Sequence, residues 1–111
     1  MTQRHGVVWT DVALTDLFAL IDYLVEHSGV AAAQNLHERV MGAVEALETL
    51  PLRCRVVPEL HAEGIETYRD EFVGPYRIVF GVHGDDVVVL AVVDGRRDLA
   101  ELLIERALRR P

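Results

Sequence analysis

The stretch from Thr67 to Asp94 reads TYRDEFVGPYRIVFGVHGDDVVVLAVVD and contains three runs rich in aromatic and β-branched residues. Short turns containing Gly and Pro separate the runs, a pattern typical of antiparallel strands joined by hairpins. We therefore predict strands over Thr67–Phe72, Tyr76–His83 and Asp86–Asp94, with turns at Val73-Gly74-Pro75 and Gly84-Asp85.

Aligning the hairpins on these turns assigns each side chain to one face of the sheet. One face is predicted to hold the apolar and aromatic core: Tyr68, Phe72, Tyr76, Ile78, Phe80, Val87, Val89, Ala91 and Val93. The opposite face collects Arg69, Glu71, Arg77, Val79, Gly81, His83, Val88, Leu90 and Val92. Because the strand over residues 86–94 is apolar on both faces, we expect it to be central and covered on both sides.

The residues before this stretch predict a short strand over His5–Thr10 and two long helices. Apolar residues recur at a helical period from Asp11 to Ser28 and again from Val30 to about Leu50. Gly29 suits the end of the first helix, and Pro51 should stop the second. The two helices are therefore predicted to form an antiparallel hairpin that covers one face of the sheet.

The remaining segments are a short extended piece over Arg53–Val57, a polar loop over Glu59–Glu66 and a terminal helix from Asp98 to about Arg110. In that helix Leu99, Leu102, Leu103 and Ala107 should face inward and cover part of the other face. The predicted fold is α+β, a single domain over residues 1–111 with the order strand–helix–helix–three antiparallel strands–C-terminal helix, and about four strands. We expect burial beneath the helical hairpin of Leu17, Ile21, Leu36, Val40, Val44, Ile78, Phe80, Val89 and Ala91.

Composition excludes several classes of protein. A chain of 111 residues leaves room for one modest core. The formal net charge is −7, which argues against nucleic-acid binding by charge alone. No apolar run approaches the roughly 20 residues needed to span a bilayer. The first residues lack an apolar signal core, and the single cysteine cannot form an internal disulfide. We therefore expect a cytoplasmic protein with no membrane partner.

No metal or cofactor is expected. The five histidines fall in separate predicted elements, and no pair has a metal-ligand spacing. The sequence has no phosphate-binding glycine loop, because Gly74-Pro75 and Gly84-Asp85 are predicted to be hairpin turns. Arg53 and Arg55 could lower the pKa of Cys54, but a half-buried structural cysteine is the favoured interpretation.

The arginines are more informative, because all eleven basic residues are Arg. Arg69 and Arg77 are predicted to lie close together on the face opposite the aromatic core, and Arg96 and Arg97 follow the central strand. One interpretation is local ion pairing, of Arg69 or Arg77 with Glu71 and of Arg97 with Asp94 or Asp98. The other is an anion site that accepts a phosphate or the carboxylates of a partner.

Several short motifs occur in a specific order: Trp9-Thr10, Tyr68-Arg69-Asp70, Val73-Gly74-Pro75-Tyr76-Arg77-Ile78 and Val93-Asp94-Gly95-Arg96-Arg97-Asp98. This combination resembles the RelE/ParE superfamily of bacterial toxins over nearly the whole chain. The resemblance implies a toxin that is held in check by a cognate antitoxin encoded alongside it, in a toxin–antitoxin hetero-oligomer.

Two activities occur in this superfamily. RelE-like members resemble ribosome-dependent endoribonucleases that cut messenger RNA, and Arg69, Arg77 and Arg96 match the basic positions that would stabilise the reacting phosphate. ParE-like members inhibit DNA gyrase. No Tyr, His or Lys follows Arg97, and Asp94 stands where many relatives have His before the Gly-Arg-Arg motif.

We therefore expect a ParE-like gyrase inhibitor that is not an enzyme. Its predicted partner-binding residues are Arg69, Tyr76, Arg77, Arg96 and Arg97. Two alternatives stay open: a RelE-like nuclease acting on ribosomes and mRNA, and an inert member that only binds its antitoxin.

Overall fold

A computed structural model describes residues 4–109. It has four helices and a five-stranded sheet with strand order β1-β5-β4-β3-β2, in which β1 runs parallel to β5 and the other pairs are antiparallel. The elements are β1 (Gly6–Trp9), α1 (Asp11–Ser28), α2 (Val30–Ala46), β2 (Arg55–Val56), α3 (Pro58–His61), β3 (Tyr68–Val73), β4 (Tyr76–His83), β5 (Asp86–Asp94) and α4 (Ala100–Arg109). Among residues 4–109 no helix is both long and apolar enough to cross a membrane.

The predicted α+β fold is confirmed. β5 is an interior strand between β1 and β4, although β4 and not β5 holds the middle position of the five, and the side chains of Val87, Val89 and Ala91 are fully buried. The helical hairpin covers one face of the sheet, where the buried core consists of Ala13, Leu17, Leu36, Val40, Val44, Val73, Ile78, Val89 and Val92. Helix α4 and α3 cover the other face, where the buried core consists of Val57, Leu60, Tyr68, Val79, Leu90, Ala91, Val93, Leu99 and Leu103.

The helical hairpin begins as expected and ends earlier than expected. The Thr10 hydroxyl accepts a hydrogen bond from the Ala13 amide at 3.2 Å, and Gly29 separates the helices with a φ of 93°. Helix α2 ends at Ala46 rather than near Leu50, because the chain turns there and places Leu47 in a small core with Phe80. Pro51 begins a short 3-10 helix instead of stopping α2.

Two other boundaries differ from the prediction. The loop over residues 59–66 includes part of a short helix, α3, which starts with Pro58 at its first position and buries Leu60 completely. The sheet has five strands rather than about four, since β2 adds a two-residue strand beside β3. Ile21 is half-buried against the core rather than fully buried.

The faces predicted for β3 are inverted. Val73 belongs to the strand and pairs with Tyr76, so the turn contains two residues, Gly74 and Pro75, rather than three. A register shift of one residue moves every side chain of a strand to the other face. Arg69 and Glu71 consequently lie on the helical-hairpin face, whereas Tyr68, Asp70 and Phe72 lie on the α4 face.

An irregularity in β5 inverts a second set of side chains. Val79 pairs with Ala91 and Phe80 pairs with Val89, so Leu90 is an extra, unpaired residue. A bulge of this kind changes the phase of the strand beyond it. Ala91 and Val93 therefore pack under α4, and Val92 packs beneath the helical hairpin, the reverse of the prediction.

Next to this bulge, the side chains of an ion pair rather than a neighbouring strand bind the backbone of β5. β1 ends at Trp9, and beyond it the Asp16 carboxylate accepts from the Val92 amide at 3.0 Å. Arg106 of α4 donates to the Leu90 carbonyl at 3.3 Å and to Asp16 Oδ1 at 2.9 Å. The pair therefore satisfies backbone groups at the open edge of β5 and attaches α4 to α1.

We expect Arg106→Met to lower the free energy of unfolding by about 1–3 kcal/mol, because the Leu90 carbonyl and Asp16 would lose their donor. Arg109→Met is the matched control, since Arg109 pairs with Glu105 of the same helix at an exposed position. Urea unfolding of both variants measures the difference. Equal stability of the two variants would contradict the role assigned to the Asp16–Arg106 pair.

Candidate interaction site

Arg77 lies at the centre of a buried ion cluster on the α4 face. Its guanidinium donates to Asp70 Oδ2 at 2.7 and 2.9 Å, and to the two Glu59 oxygens at 2.6 and 2.8 Å. The side chain of Arg77 is only 4% exposed, and that of Asp70 is 0% exposed. The positive charge of Arg77 is therefore fully engaged inside the protein.

The cluster extends to β2. Arg55 donates to both Asp70 oxygens at 2.8 and 3.1 Å, so one buried carboxylate binds two guanidinium groups. The Phe72 ring lies beside both cations, 4.9 Å from Arg55 Cζ and 6.0 Å from Arg77 Cζ. A carboxylate buried without such partners would strongly destabilise the fold.

Within the cluster, the ion pairs shift the pKa values of Glu59 and Arg77 so that both groups stay charged. The hydrogen bond from Arg77 lowers the pKa of Glu59 below 4.5, although partial burial opposes this shift. The hydrogen bonds with Glu59 and Asp70 raise the pKa of Arg77, again against the effect of burial. Glu59 therefore connects α3 to the sheet as an anion throughout the neutral pH range.

Arg69 lies on the other face and is not part of this cluster. Its guanidinium donates to the Cys54 carbonyl at 2.6 Å and more weakly to the Leu52 carbonyl. The expectation that Arg69 and Arg77 share a face is therefore wrong, because the two-residue turn at Gly74-Pro75 sets the register of β3.

Cys54, whose carbonyl accepts from Arg69, carries a buried thiol. Its Sγ donates to Glu71 Oε2 at 2.9 Å, and Arg53 pairs with the same Glu71 oxygen at 3.1 Å. Burial, together with Glu71, raises the pKa of Cys54 to about 12, and the opposing effect of Arg53 is smaller. Cys54 is thus a structural thiol, the interpretation that the sequence favoured, and the alternative of a pKa lowered by the neighbouring arginines does not hold.

Arg96, Arg97 and Tyr76 lie at the end of β5, where the Gly95 amide donates to the Pro75 carbonyl at 2.7 Å. Arg96 is exposed and donates to Asp94 at 2.7 and 2.9 Å, which lowers the pKa of Asp94 to about 2. Arg97 is exposed, and Tyr76 is half-buried opposite Asp94 in the sheet.

The five residues predicted for partner binding thus occupy three environments. Arg77 is buried, Arg69 is half-buried against the Leu52 and Cys54 carbonyls on the opposite face, and Tyr76, Arg96 and Arg97 are together at the sheet end. Sequence reasoning missed Asp70 and Glu59 as partners of Arg77, and Arg55 as the second cation bound to Asp70. With the correct turn length, the alternation of side chains along β3 and β4 would have placed Asp70 beside Arg77. No local feature of the sequence identifies Glu59 as a partner of Arg77.

Comparison with known proteins matches this chain to a known protein family. The family model described as "ParE toxin of type II toxin-antitoxin system, parDE" matches residues 7–99. The chain belongs to the ParE toxin family. It is a type II toxin of the ParE/RelE type, and the family match ends at Leu99, where α4 is about to begin.

Individual relatives agree with this assignment. The chain is 29% identical to Toxin ParE3 of Caulobacter vibrioides over 97 residues, which cover 87% of this chain and 93% of the relative. A structure of the chromosomal ParDE toxin–antitoxin system of P. aeruginosa is similar with a TM-score of 0.68 at 20% identity, covering 82% of this chain and 96% of that chain.

A toxin–antitoxin complex, RelBE2 of Mycobacterium tuberculosis, shares the fold with a TM-score of 0.56 at 23% identity, covering 85% of this ParE-family chain and 94% of that chain. The fold is therefore common to ParE-type and RelE-type proteins, and it does not by itself distinguish their activities.

We expect Glu59→Gln to lower the free energy of unfolding by about 1–2 kcal/mol near neutral pH, because the charged hydrogen bonds to Arg77 are weakened. The folded-state pKa of Glu59 is lowered, so its contribution is complete above about pH 4.5 and is lost as the pH falls through that lowered pKa. The difference between wild type and variant should therefore shrink in acid. Denaturant titrations from neutral pH into acid measure it.

Glu63→Gln is the control for this prediction, since Glu63 is exposed and follows the same short helix. A constant difference between wild type and Glu59→Gln across the acid range would argue that the loss arises from packing rather than from the ion pair.

Proposed function

We propose that this ParE-family toxin inhibits DNA gyrase in the bacterial cytoplasm and is neutralised by a cognate antitoxin in a hetero-oligomer. The family match and the resemblance to Toxin ParE3 support a ParE-type target. The observation that carries the proposal is the burial of Arg77, which removes the central cation that a nuclease of this fold would need.

An mRNA nuclease must deprotonate a 2′-hydroxyl, protonate a leaving oxygen and stabilise a negatively charged transition state. Arg77 is enclosed by Asp70 and Glu59, and Arg69 is directed at backbone carbonyls on the other face. Arg96 is exposed but paired with Asp94. With no Tyr or His after Arg97, the chain offers neither a clear proton donor nor a converging set of cations.

The charge of the whole chain supports the same choice. A net charge of −7 disfavours approach to a target rich in RNA, because phosphate binding depends on a basic surface. Inhibition of a protein target requires only a complementary surface. In this proposal the toxin acts by docking and performs no chemistry.

Helix α4 is the proposed docking element for gyrase. Its outer side exposes Glu101, Glu105 and Arg109, and Leu108 is 73% exposed. Its inner side is anchored by Leu103 and by the Asp16–Arg106 ion pair. A short helix held rigidly from one side can present the other side to a partner at little entropic cost.

The antitoxin is the proposed cover for the exposed apolar side chains of the helical hairpin. Phe18 is 58% exposed, Val25 44% and Val30 59%, and all three belong to α1 and α2. Val25 and Val30 line one groove on the surface of the hairpin, and exposed apolar grooves are typical of surfaces that bind a partner, including segments that fold on binding. The two structural neighbours, ParDE and RelBE2, are a toxin–antitoxin system and a toxin–antitoxin complex.

Induction of the toxin without its antitoxin should produce DNA breaks and a DNA-damage response, without cleavage of ribosome-bound mRNA. Arg69→Ala and Arg96→Ala should each retain toxicity, whereas loss of a transition-state contact in a nuclease costs roughly 100–1000-fold in rate. Arg77→Ala is unsuitable because it leaves Asp70 buried with one cation fewer. Specific mRNA cuts abolished by Arg69→Ala would favour the nuclease instead.

Removal of residues 98–111 should abolish toxicity, but it also uncovers the core beneath α4. The substitution Leu108→Glu tests docking more cleanly, since this exposed side chain contributes little to folding. We expect a loss of growth inhibition of about 10-fold or more with an unchanged melting temperature.

Leu52→Glu is the matched control, as Leu52 is 61% exposed and lies outside α4. Its toxicity should equal that of the wild type. If Leu108→Glu were as toxic as Leu52→Glu, the outer side of α4 would not be the docking surface.

A further inference from the structure

The groove between α1 and α2 has an apolar floor, and we call it the hairpin groove. Its volume is about 430 Å³, and its apolar lining consists of Ile21, Val25, Val30 and Ala33. Ala33 is buried, whereas Val25 and Val30 are exposed. Phe18 continues the exposed apolar row along α1, because residues seven apart lie on the same side of a helix. The groove therefore leaves apolar surface from both helices open to solvent.

The shape of the hairpin groove favours a helical partner. The row from Phe18 to Val25 spans about 10 Å, since a helix rises about 1.5 Å per residue. Backbone groups in the interior of α1 and α2 are hydrogen-bonded within these helices, so they are not available to an extended peptide. A helix satisfies its own backbone groups and can pack its side chains between those of two other helices.

Both walls of the hairpin groove carry an acidic residue. Glu38 of α2 lines the groove, and Asp22 lies one turn before Val25 on α1. Both carboxylates are exposed, and within residues 4–109 neither forms an ion pair. Arg39, the one arginine of the two helices, lies against Gly74 instead. The electrostatics of the groove therefore favours a partner that carries positive charge.

We propose that the hairpin groove binds an amphipathic helix of the antitoxin, with apolar side chains on Val25 and Val30 and a lysine or arginine opposite Asp22 and Glu38. This inference rests on the proposed function and specifies the chemistry of the segment that covers the hairpin. Because α4, the proposed docking element for gyrase, covers the other face of the sheet, the groove is assigned to the antitoxin.

Other side chains and the local charge agree with a protein occupant. The wall of α2 includes Gln34 and His37, whose side chains can form hydrogen bonds with a polar residue at the edge of the bound helix. The first 50 residues of the chain contain two arginines and seven acidic residues, so a nucleic acid would be repelled from this face.

The test compares the affinity of the full-length toxin and its variants for the antitoxin encoded by the neighbouring gene. Glu38→Lys should weaken binding at least about 10-fold, because a like charge then faces the cation of the bound helix. Higher salt should weaken binding of the wild type more than that of Glu38→Lys. Asp22→Lys changes the other wall and should act in the same direction. Val30→Ser should weaken binding without changing the salt dependence.

Glu63→Lys is the matched control. Glu63 is exposed, forms no ion pair within residues 4–109 and follows α3, which packs on the other face of the sheet. The same change of charge there should leave the affinity unchanged. Thermal melting of each variant verifies that it is folded, and Asp22→Lys replaces Glu38→Lys if the latter does not fold.

The outcomes separate the two proposals. If the wild type does not bind the antitoxin, the proposed function is overturned and this inference with it. If the wild type binds and both Glu38→Lys and Asp22→Lys behave like Glu63→Lys, the hairpin groove alone is overturned. Loss of toxicity in Glu38→Lys with unchanged antitoxin affinity would also overturn it, and would assign the groove to the target. Rescue of Glu38→Lys by a Lys→Glu or Arg→Glu change in the antitoxin would support the groove directly.

Discussion

The buried carboxylate of Asp70 is the constraint on which the surrounding structure depends. Its side chain has no exposed surface, and the desolvation of such an anion is tolerated only when cations and hydrogen-bond donors replace the lost water. Arg77 from β4 and Arg55 from β2 both supply donors. The pairing of the short β2 with β3 therefore brings a cation to Asp70 in addition to forming backbone hydrogen bonds.

The same constraint determines which arginines are available to a partner. Engagement of Arg77 by Asp70 and Glu59 attaches α3 to the sheet, and the residue acts as a structural cation. The exposed arginines lie at the periphery of the molecule, among them Arg96, which is held by Asp94, and Arg39, which lies against the Gly74-Pro75 turn. In the proposed function, the available cations lie on peripheral surfaces instead of at a central site. This arrangement suits docking to a protein rather than a reaction at a phosphate.

The second face of the sheet depends on α4, which lies beyond the part of the chain that the family model matches. Its attachment combines two physical effects, burial of Leu99 and Leu103 and the ion pair between Arg106 and Asp16. That pair reaches the backbone of β5 where the Leu90 bulge lies and where β1 has ended. One helix thus closes the core and satisfies an open strand edge.

The sequence by itself determined the order of the elements, the hairpin of two helices and the interior position of β5, because these depend on local periodicity and on the apolar character of whole strands. It also determined membership in the toxin superfamily through an ordered set of motifs. Only the tertiary structure decided that Arg69 and Arg77 lie on opposite faces, that Ala91 packs under α4 and that Glu59 reaches Arg77. The physical reason is that one residue more or less in a turn, or one bulged residue in a strand, inverts every side chain beyond it. Ion-pair partners 18 residues apart, such as Glu59 and Arg77, are brought together only by the completed fold.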